Sequence, residues 1–289
     1  MAERSEDTPG ELAAMRVEQP LVLAQHDTAE TFGWNKETAK AELGERLGVV
    51  AELQKRLFAA RRHALLVVLQ AMDASGKDGV IRSVFTGINP AGVSVHSFGV
   101  PSEEESEHDF LWRVHAACPR RGTIGVFNRS HYEDVLVVRV KQLVPPERWQ
   151  PRYELIRRFE AGLIAEDTAI VKLFLHVSKE EQRARLQDRI DSPDERWKFR
   201  LGDLDDRARW DDFMAAYRDA LERTSTSDAP WYVVPGDRKW VRNLAVAKVL
   251  QHHLESLDPH YPAPTNDLAG VVVTELTGVV AARRARSCG

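Results

Sequence analysis

Residues 64–85 read ALLVVLQAMDASGKDGVIRSVF, and the order of residue types in this stretch decides the fold. An apolar run, Ala64–Gln70, leads into a loop of small residues, then Gly76-Lys77, then an amphipathic segment, Lys77–Phe85. A Walker A loop has this order. Backbone N–H groups and the N-terminus of the following helix surround phosphate oxygens, while the lysine reaches the terminal phosphates. The competing reading is an ordinary strand-to-helix turn, and the strand before and helix after favour the phosphate loop. Ala74, Ser75, Gly76, Lys77, Asp78 and Gly79 are therefore candidate phosphate-binding residues. Ala71 stands where the usual loop has its first glycine, which is tolerable at a negative φ. Asp78 stands where Ser or Thr is usual, and with Asp73 it would repel phosphate unless a cation such as Mg²⁺ lies between.

Outward from this segment, four more short apolar runs follow at wide spacing: 92–98, 123–127, 169–177 and 231–234. The first and fourth of the five runs are nearly continuous in Val, Leu and Ile, as strands covered on both faces should be. Helical patterns lie between them, at 77–85, 103–117 and 151–165. Before the first strand, Leu43, Leu47, Val50, Leu53 and Leu57 mark a helix over 36–62, with Asn35 as its N-cap. A further stripe, Trp210, Phe213, Met214, Tyr217 and Leu221, reads as core, as does Trp112. Strands alternating with helices predict an α/β fold, a three-layer arrangement with a parallel sheet. The boundaries expected are a flexible arm over 1–30, one domain over 31–262 and a tail over 263–289 after a Pro-rich break.

The chain has 289 residues, 43% hydrophobic and 29% charged, enough for a sizeable core in one or two domains. It holds no run of eighteen apolar residues, so no membrane span is expected. The opening MAERSEDTPGEL is acidic and polar, unlike a signal peptide. Cys118 and Cys288 are too few for a disulfide scaffold or a zinc site and read as free thiols in a reducing, cytoplasmic setting. A net charge of −4 argues against a dedicated nucleic-acid binder.

Two further constellations carry chemistry. At the end of the 123–127 strand come Asn128, Arg129 and Ser130, then His131, Tyr132, Glu133 and Asp134. Polar groups at the carboxyl end of a parallel strand face the ligand crevice. There Arg129 can fork onto phosphate oxygens, and Glu133 or Asp134 can supply a metal carboxylate. The plainer reading is a charged turn capped by Asn128 or Ser130. After the fourth strand, Arg183, Arg185, Arg189, Arg196, Lys198 and Arg200 are interspersed with acids. They form either a solvated helix pair or a mobile lid over about 183–209 whose arginines close on transferring phosphates, with Pro193 dividing it. His108 and His115 are seven apart, but nothing completes a metal site around them.

These segments resemble the polyphosphate kinase 2 family: MDASGKDG at 72–79, VPSEEESEHDFLWRVH at 100–115, FNRSHYEDVLVVRV at 127–140 and RIDSPDERWKFRLGDLDDRARW at 189–210. The resemblance covers roughly residues 30–260. It implies a thymidylate-kinase-like phosphate-loop core with a helical lid. It further implies reversible phosphoryl transfer between inorganic polyphosphate and nucleotides, supported by Mg²⁺ or Mn²⁺, in a homo-oligomer (dimer or tetramer). Carried over by position, Asp73, Lys77, Arg129 and Asp134 are the implied catalytic residues, with Asp73 and Asp134 holding metal. Asn128, Glu133, Arg183, Arg189, Lys198 and Arg200 are implied phosphate or nucleotide contacts. The His131–Asp134 sequence is similar to the subgroup that accepts AMP as well as ADP. Alternatives are an ATP-dependent nucleoside or nucleotide kinase of the same fold, and a weakly catalytic polyphosphate- or nucleotide-binding module.

Overall fold

The computed structural model describes residues 10–268 and 271. Among these, five strands form one sheet: β1 (Ala64–Gln70), β2 (Val93–Ser97), β3 (Ile124–Asn128), β4 (Thr168–His176) and β5 (Trp231–Pro235). Every pairing is parallel, in the order β2-β3-β1-β4-β5. The helices, in chain order, are α1 (Gly10–Met15), α2 (Lys36–Ala60), α3 (Lys77–Val84), α4 (Glu103–Glu107), α5 (Trp112–Ala117) and α6 (Val137–Val140). They continue with α7 (Pro146–Trp149), α8 (Arg152–Ala165), α9 (Lys179–Asp191), α10 (Gly202–Ala208), α11 (Trp210–Thr224) and α12 (Lys239–Ser256).

Alternation along each strand divides the core in two. Leu66 and Val68 of β1 join Phe127, Phe174 and Trp231 on one face, beneath Ile156 of α8 and Phe213, Tyr217 and Leu221 of α11. Leu65, Val67 and Leu69 join Val126, Leu173 and Val234 on the other, beneath Val50 and Leu57 of α2, Val80 of α3 and Val246 of α12. The expected three layers follow, with β1 buried at every position. Asn35 caps α2 as expected, its side chain accepting from Glu37 N.

Three expectations change. The helix expected over 103–117 is broken, because the Asp109 side chain accepts from Leu111 N at 2.9 Å and turns the chain between α4 and α5. Trp112, expected in the core, is 41% exposed and stacks on His108 with ring centroids 4.2 Å apart. Residues 10–30, expected in a flexible arm, lie on the body of the protein. There α1 buries Leu12 and Met15, Arg16 bridges antiparallel to Tyr232, and Val17 N donates to Trp231 O at 2.9 Å. So short a segment carries no periodicity to announce this. Residues 1–9 and most of the 263–289 tail fall outside the described residues, as does Cys288. Cys118 is partly buried, which pushes its thiol up to about 11. Among the described residues no helix is long and apolar enough to cross a membrane.

A buried polar cluster lies under the turn after β3. Lys172 of β4 pairs with Glu160 of α8 at 2.6 Å and donates to Thr224 O at 2.8 Å. Tyr132 Oη donates to Glu160 Oε1 at 2.8 Å, and His131 Nε2 lies 3.3 Å from the same oxygen. Burial opposes the Glu160 charge, but Lys172 and His131 hold its carboxyl below the usual range. Removing one partner of such a pair strands the other charge, which costs about 3–5 kcal/mol, whereas replacing both is far less costly. Lys172→Met should therefore lose about that much stability in urea titrations, and Lys172→Met with Glu160→Gln should recover most of it.

Candidate active site

The loop between β1 and α3 leaves the sheet beside the end of β3, and on this crevice the charged residues converge. Two loop residues are left-handed, Ala74 at φ 63° and Gly76 at φ 98°; Ala71 is not among the positive-φ residues, so its methyl is tolerated as expected. The loop is held from below by residues of distant elements. Arg185 of α9 donates to Ser75 O at 3.0 Å and to Gly236 O at 2.6 Å. Gln182 donates to Asp73 O at 3.0 Å and is itself oriented by Arg207, 3.0 Å from its amide oxygen. Arg242 of α12 lies against the turn so closely that a Cβ at Gly76 would meet its Nη1 at 2.0 Å.

Lys77 opens α3, almost fully buried, with Nζ 2.8 Å from Ala71 O. Burial brings its ammonium down to about 8, aided by Arg129 and opposed by Asp73, Glu133 and Asp78. Arg129, left-handed at φ 62° and fixed by its N–H on Leu69 O, reaches back to Asp73 at 2.5 Å. Burial opposes the charge on both partners. Asp73 is nonetheless held below the usual carboxylate range by Lys77, Arg129 and Arg189. Arg129 is held above its ordinary value by Asp73 and Glu133. Asn128 donates to Asp78 Oδ1 at 2.7 Å and so joins the end of β3 to the first turn of α3.

Glu133 and Asp134 are neighbours in a 3₁₀ turn, His131–Asp134, yet they face different surroundings. Burial raises the Glu133 carboxyl while Arg129 and Lys77 resist, and Asp73 adds to the rise. With its amide turned to satisfy both ends, Gln70 donates to Glu133 Oε1 at 3.0 Å and accepts from Ser130. Asp134 instead pairs with Arg152 at 2.9 Å, and burial raises its carboxyl against Arg152, Arg113 and His131. Glu133 is therefore among the charges acting on Lys77 and Arg129, whereas the charges acting on Asp134 are those of Arg152, Arg113 and His131.

The charged segment after β4 is split between α9 and α10, as Pro193 suggested. Arg189 faces inward, 3.8 Å from Asp203 and close enough to lower Asp73. Arg183 is exposed, roughly opposite Arg185 on α9, so Arg185 is the residue that reaches the loop. Lys198 pairs with Glu195 at 2.5 Å and lies over the Trp197 ring, while Arg200 is exposed. The structure brings none of these three to the loop. Gln182, Arg185 and Arg242 escaped the sequence reading as loop supports, because each reaches the loop only through tertiary contacts. Their sequence signal is slight: Arg185 sat in the basic segment, and Gln182 and Arg242 carried none.

Asp73 and Glu133 supply hard oxygen donors beside the loop, which suits Mg²⁺ or Mn²⁺. Among the described residues no three His, Cys, Asp or Glu side chains converge to hold a metal. A cation here would take one or two carboxylates and fill its remaining positions with phosphate oxygens and water, the usual habit of Mg²⁺.

Fold and site together define a phosphate-loop kinase: a parallel sheet with β1 central, a lysine-bearing loop and arginines at the carboxyl ends of the strands. The chain belongs to the polyphosphate kinase 2 family, since residues 33–262 match the sequence model of the family described as Polyphosphate kinase 2 (PPK2). It is 53% identical over 247 residues to an AMP/ADP-polyphosphate phosphotransferase of Meiothermus ruber, covering 86% of this chain and 92% of that protein. It is 48% identical over 248 residues to an ADP-polyphosphate phosphotransferase of Rhodopseudomonas palustris, covering 82% and 86%. The crystal structure of polyphosphate kinase 2 from Arthrobacter aurescens TC1 superposes with a TM-score of 0.87 at 41% identity, covering 91% of this chain and 95% of that one.

The position of Lys77 sets a pH dependence. Its cationic form is the one that attracts phosphate, and that form is lost as pH rises through about 8. Tripolyphosphate affinity measured by calorimetry should fall as pH passes this value. Lys77→Arg, whose charge does not titrate in this range, should flatten the profile.

Proposed function

We propose that this protein transfers the terminal phosphoryl group of inorganic polyphosphate to ADP and to AMP, with Mg²⁺ or Mn²⁺, and catalyses the reverse reaction. The observation that carries this reading is the charge cluster of Asp73, Lys77, Arg129 and Glu133 at the ends of β1 and β3. It is supported by relatives whose names state AMP/ADP and ADP acceptors.

In this reading the end of the polyphosphate chain lies along the loop, with its oxygens facing the α3 N-terminus and the N–H groups of residues 74–79. A terminal phosphate oxygen of the nucleotide forms a bond to the last phosphorus of the chain. The bridging P–O bond behind that phosphorus breaks, and the chain leaves one unit shorter. Charge spreads over the transferring oxygens, and Lys77 and Arg129 neutralise it from fixed positions. Asp73, with Asp134 or Glu133, would hold the cation, which when bound would screen the repulsion between donor and acceptor phosphates. Asp134, fixed by Arg152, orients the acceptor. Residues 183–209 act as a lid that excludes water, with Arg189 the arginine best placed to meet the phosphates. Arg183, Lys198 and Arg200 would take part only after the lid moves.

The direct test is incubation with polyphosphate, Mg²⁺ and ADP, with ATP formation as the readout. No ATP from polyphosphate, alongside transfer from ATP to a nucleoside, would instead make this an ATP-dependent kinase. Lys77→Ala should lower kcat by about 10²–10³-fold, the loss of about 3–4 kcal/mol of transition-state stabilisation, with an unchanged circular dichroism spectrum.

AMP offers its terminal phosphate one unit nearer the base than ADP does, so the shorter acceptor leaves a gap before the donor. Glu133 would be a further carboxylate able to hold a hydrated Mg²⁺ when the shorter acceptor is bound. Glu133→Asn should lower turnover of AMP more than that of ADP, measured as kcat/KM for each acceptor. Equal losses would give Glu133 a role shared by both acceptors.

A further inference from the structure

The first turns of α12 read KWVRNL, and the fourth residue of that helix, Arg242, is only 3% exposed. Its guanidinium lies under the Ser75–Gly76 turn. Nη1 donates to Ser75 O at 3.3 Å, and Nε and Nη2 donate to Asn243 Oδ1 at 3.1 and 2.9 Å. Gly79, in the first turn of α3, is also packed on it, for a Cβ there would meet Nη2 at 3.1 Å. Both glycines leave room for the guanidinium.

This cation is unusual in its surroundings. Lys172 is buried against Glu160, and Arg185 has Glu181 at 2.8 Å in addition to its carbonyls. Among the described residues no carboxylate pairs with Arg242. Among the described residues, the charge that affects it appreciably is another cation, Arg185, and burial with that neighbour brings its pKa down to about 10. A buried charge without a counter-charge is strongly unfavourable, and here it faces the loop that receives phosphates.

We propose that Arg242 is a positioning residue whose missing counter-charge is the polyphosphate donor itself. It fixes the Ser75–Gly76 turn from below, and its positive potential, transmitted across a single layer of backbone, is balanced when phosphates lie on the opposite side of the loop. The inference rests on the reading that polyphosphate occupies this loop, and it explains how a loop carrying Asp73 and Asp78 can attract a polyanion. It also assigns the effect to the donor side of the reaction, since the proposed function puts the acceptor elsewhere, beside the Asp134–Arg152 pair.

Three variants test it. Arg242→Met removes the charge. Asn243→Asp leaves Arg242 in place and neutralises it with a carboxylate at the atom it already bonds. Arg242→Lys keeps the charge without the fork. Calorimetry with tripolyphosphate, KM values for polyphosphate and for ADP, and melting temperatures with and without tripolyphosphate are measured for each. Arg242→Met and Asn243→Asp should each weaken tripolyphosphate binding and raise the polyphosphate KM by on the order of tenfold, with the ADP KM nearly unchanged. Asn243→Asp should melt higher than the parent without ligand and gain less from tripolyphosphate. Arg242→Lys should stay within roughly threefold of the parent, because charge at that depth is what matters. Should Arg242→Met fail to fold, Asn243→Asp decides alone. Parent-like tripolyphosphate affinity in Asn243→Asp, or equal rises in both KM values, would overturn the proposal. A parent protein that binds tripolyphosphate but makes no ATP from polyphosphate would remove the functional reading and leave the binding role of Arg242 standing.

Discussion

The ion pair between Asp73 and Arg129 ties the loop after β1 to the turn after β3, and the geometry of the site depends on it. A carboxylate in a phosphate loop is tolerable only if something offsets its charge, and Arg129 does so from the neighbouring strand. To reach it, Arg129 adopts a left-handed backbone, as Ala74 does within the loop. Such conformations cost about 1–3 kcal/mol each for residues with a side chain. They persist because surrounding contacts leave no alternative: the Arg129 N–H is committed to Leu69 O, and the loop carbonyls are committed to buried donors.

Those donors form a second layer that comes from the far end of the chain. Gln182 and Arg185 arrive on α9, and Arg242 arrives on α12, after β4 and β5 have set the spacing of the helices. Below the turn after β3, Lys172 and Glu160 hold Tyr132 and His131 in place, and so determine where Glu133 and Asp134 emerge. The functional side chains are few, but the residues that aim them are spread over both faces of the sheet. Preorganisation of this kind lets fixed charges act on a transferring phosphoryl group without rearranging first.

Strands β1 and β4 were legible in the sequence because burial on both faces writes continuous apolar runs, whereas edge strand β2, mostly exposed, carried only a short alternation. The phosphate loop was legible because its chemistry is local: Gly76 for the turn, Lys77 for the charge, a strand before and a helix after. What remained hidden was non-local. Arg185 and Arg183 look alike in sequence, and only the packing of α9 selects the first. Glu133 and Asp134 differ by one position in a tight turn, where a single residue changes the direction of the side chain by about a third of a turn. The break at Asp109 was missed because one aspartate side chain overrode an otherwise helical stretch. The docking of residues 10–17 was missed because it depends on an edge that the segment itself cannot reveal.

That docking bears on the order in which the molecule is assembled. The amino-terminal segment covers the outer side of β5, and Arg16 reaches Ser227 O, 211 residues along the chain. A growing polypeptide makes this segment before any strand of the sheet and supplies its seat only when β5 emerges. Leu12 and Met15 must therefore remain unseated through most of synthesis. The earliest described part of the chain becomes the clasp over the strand that is made last.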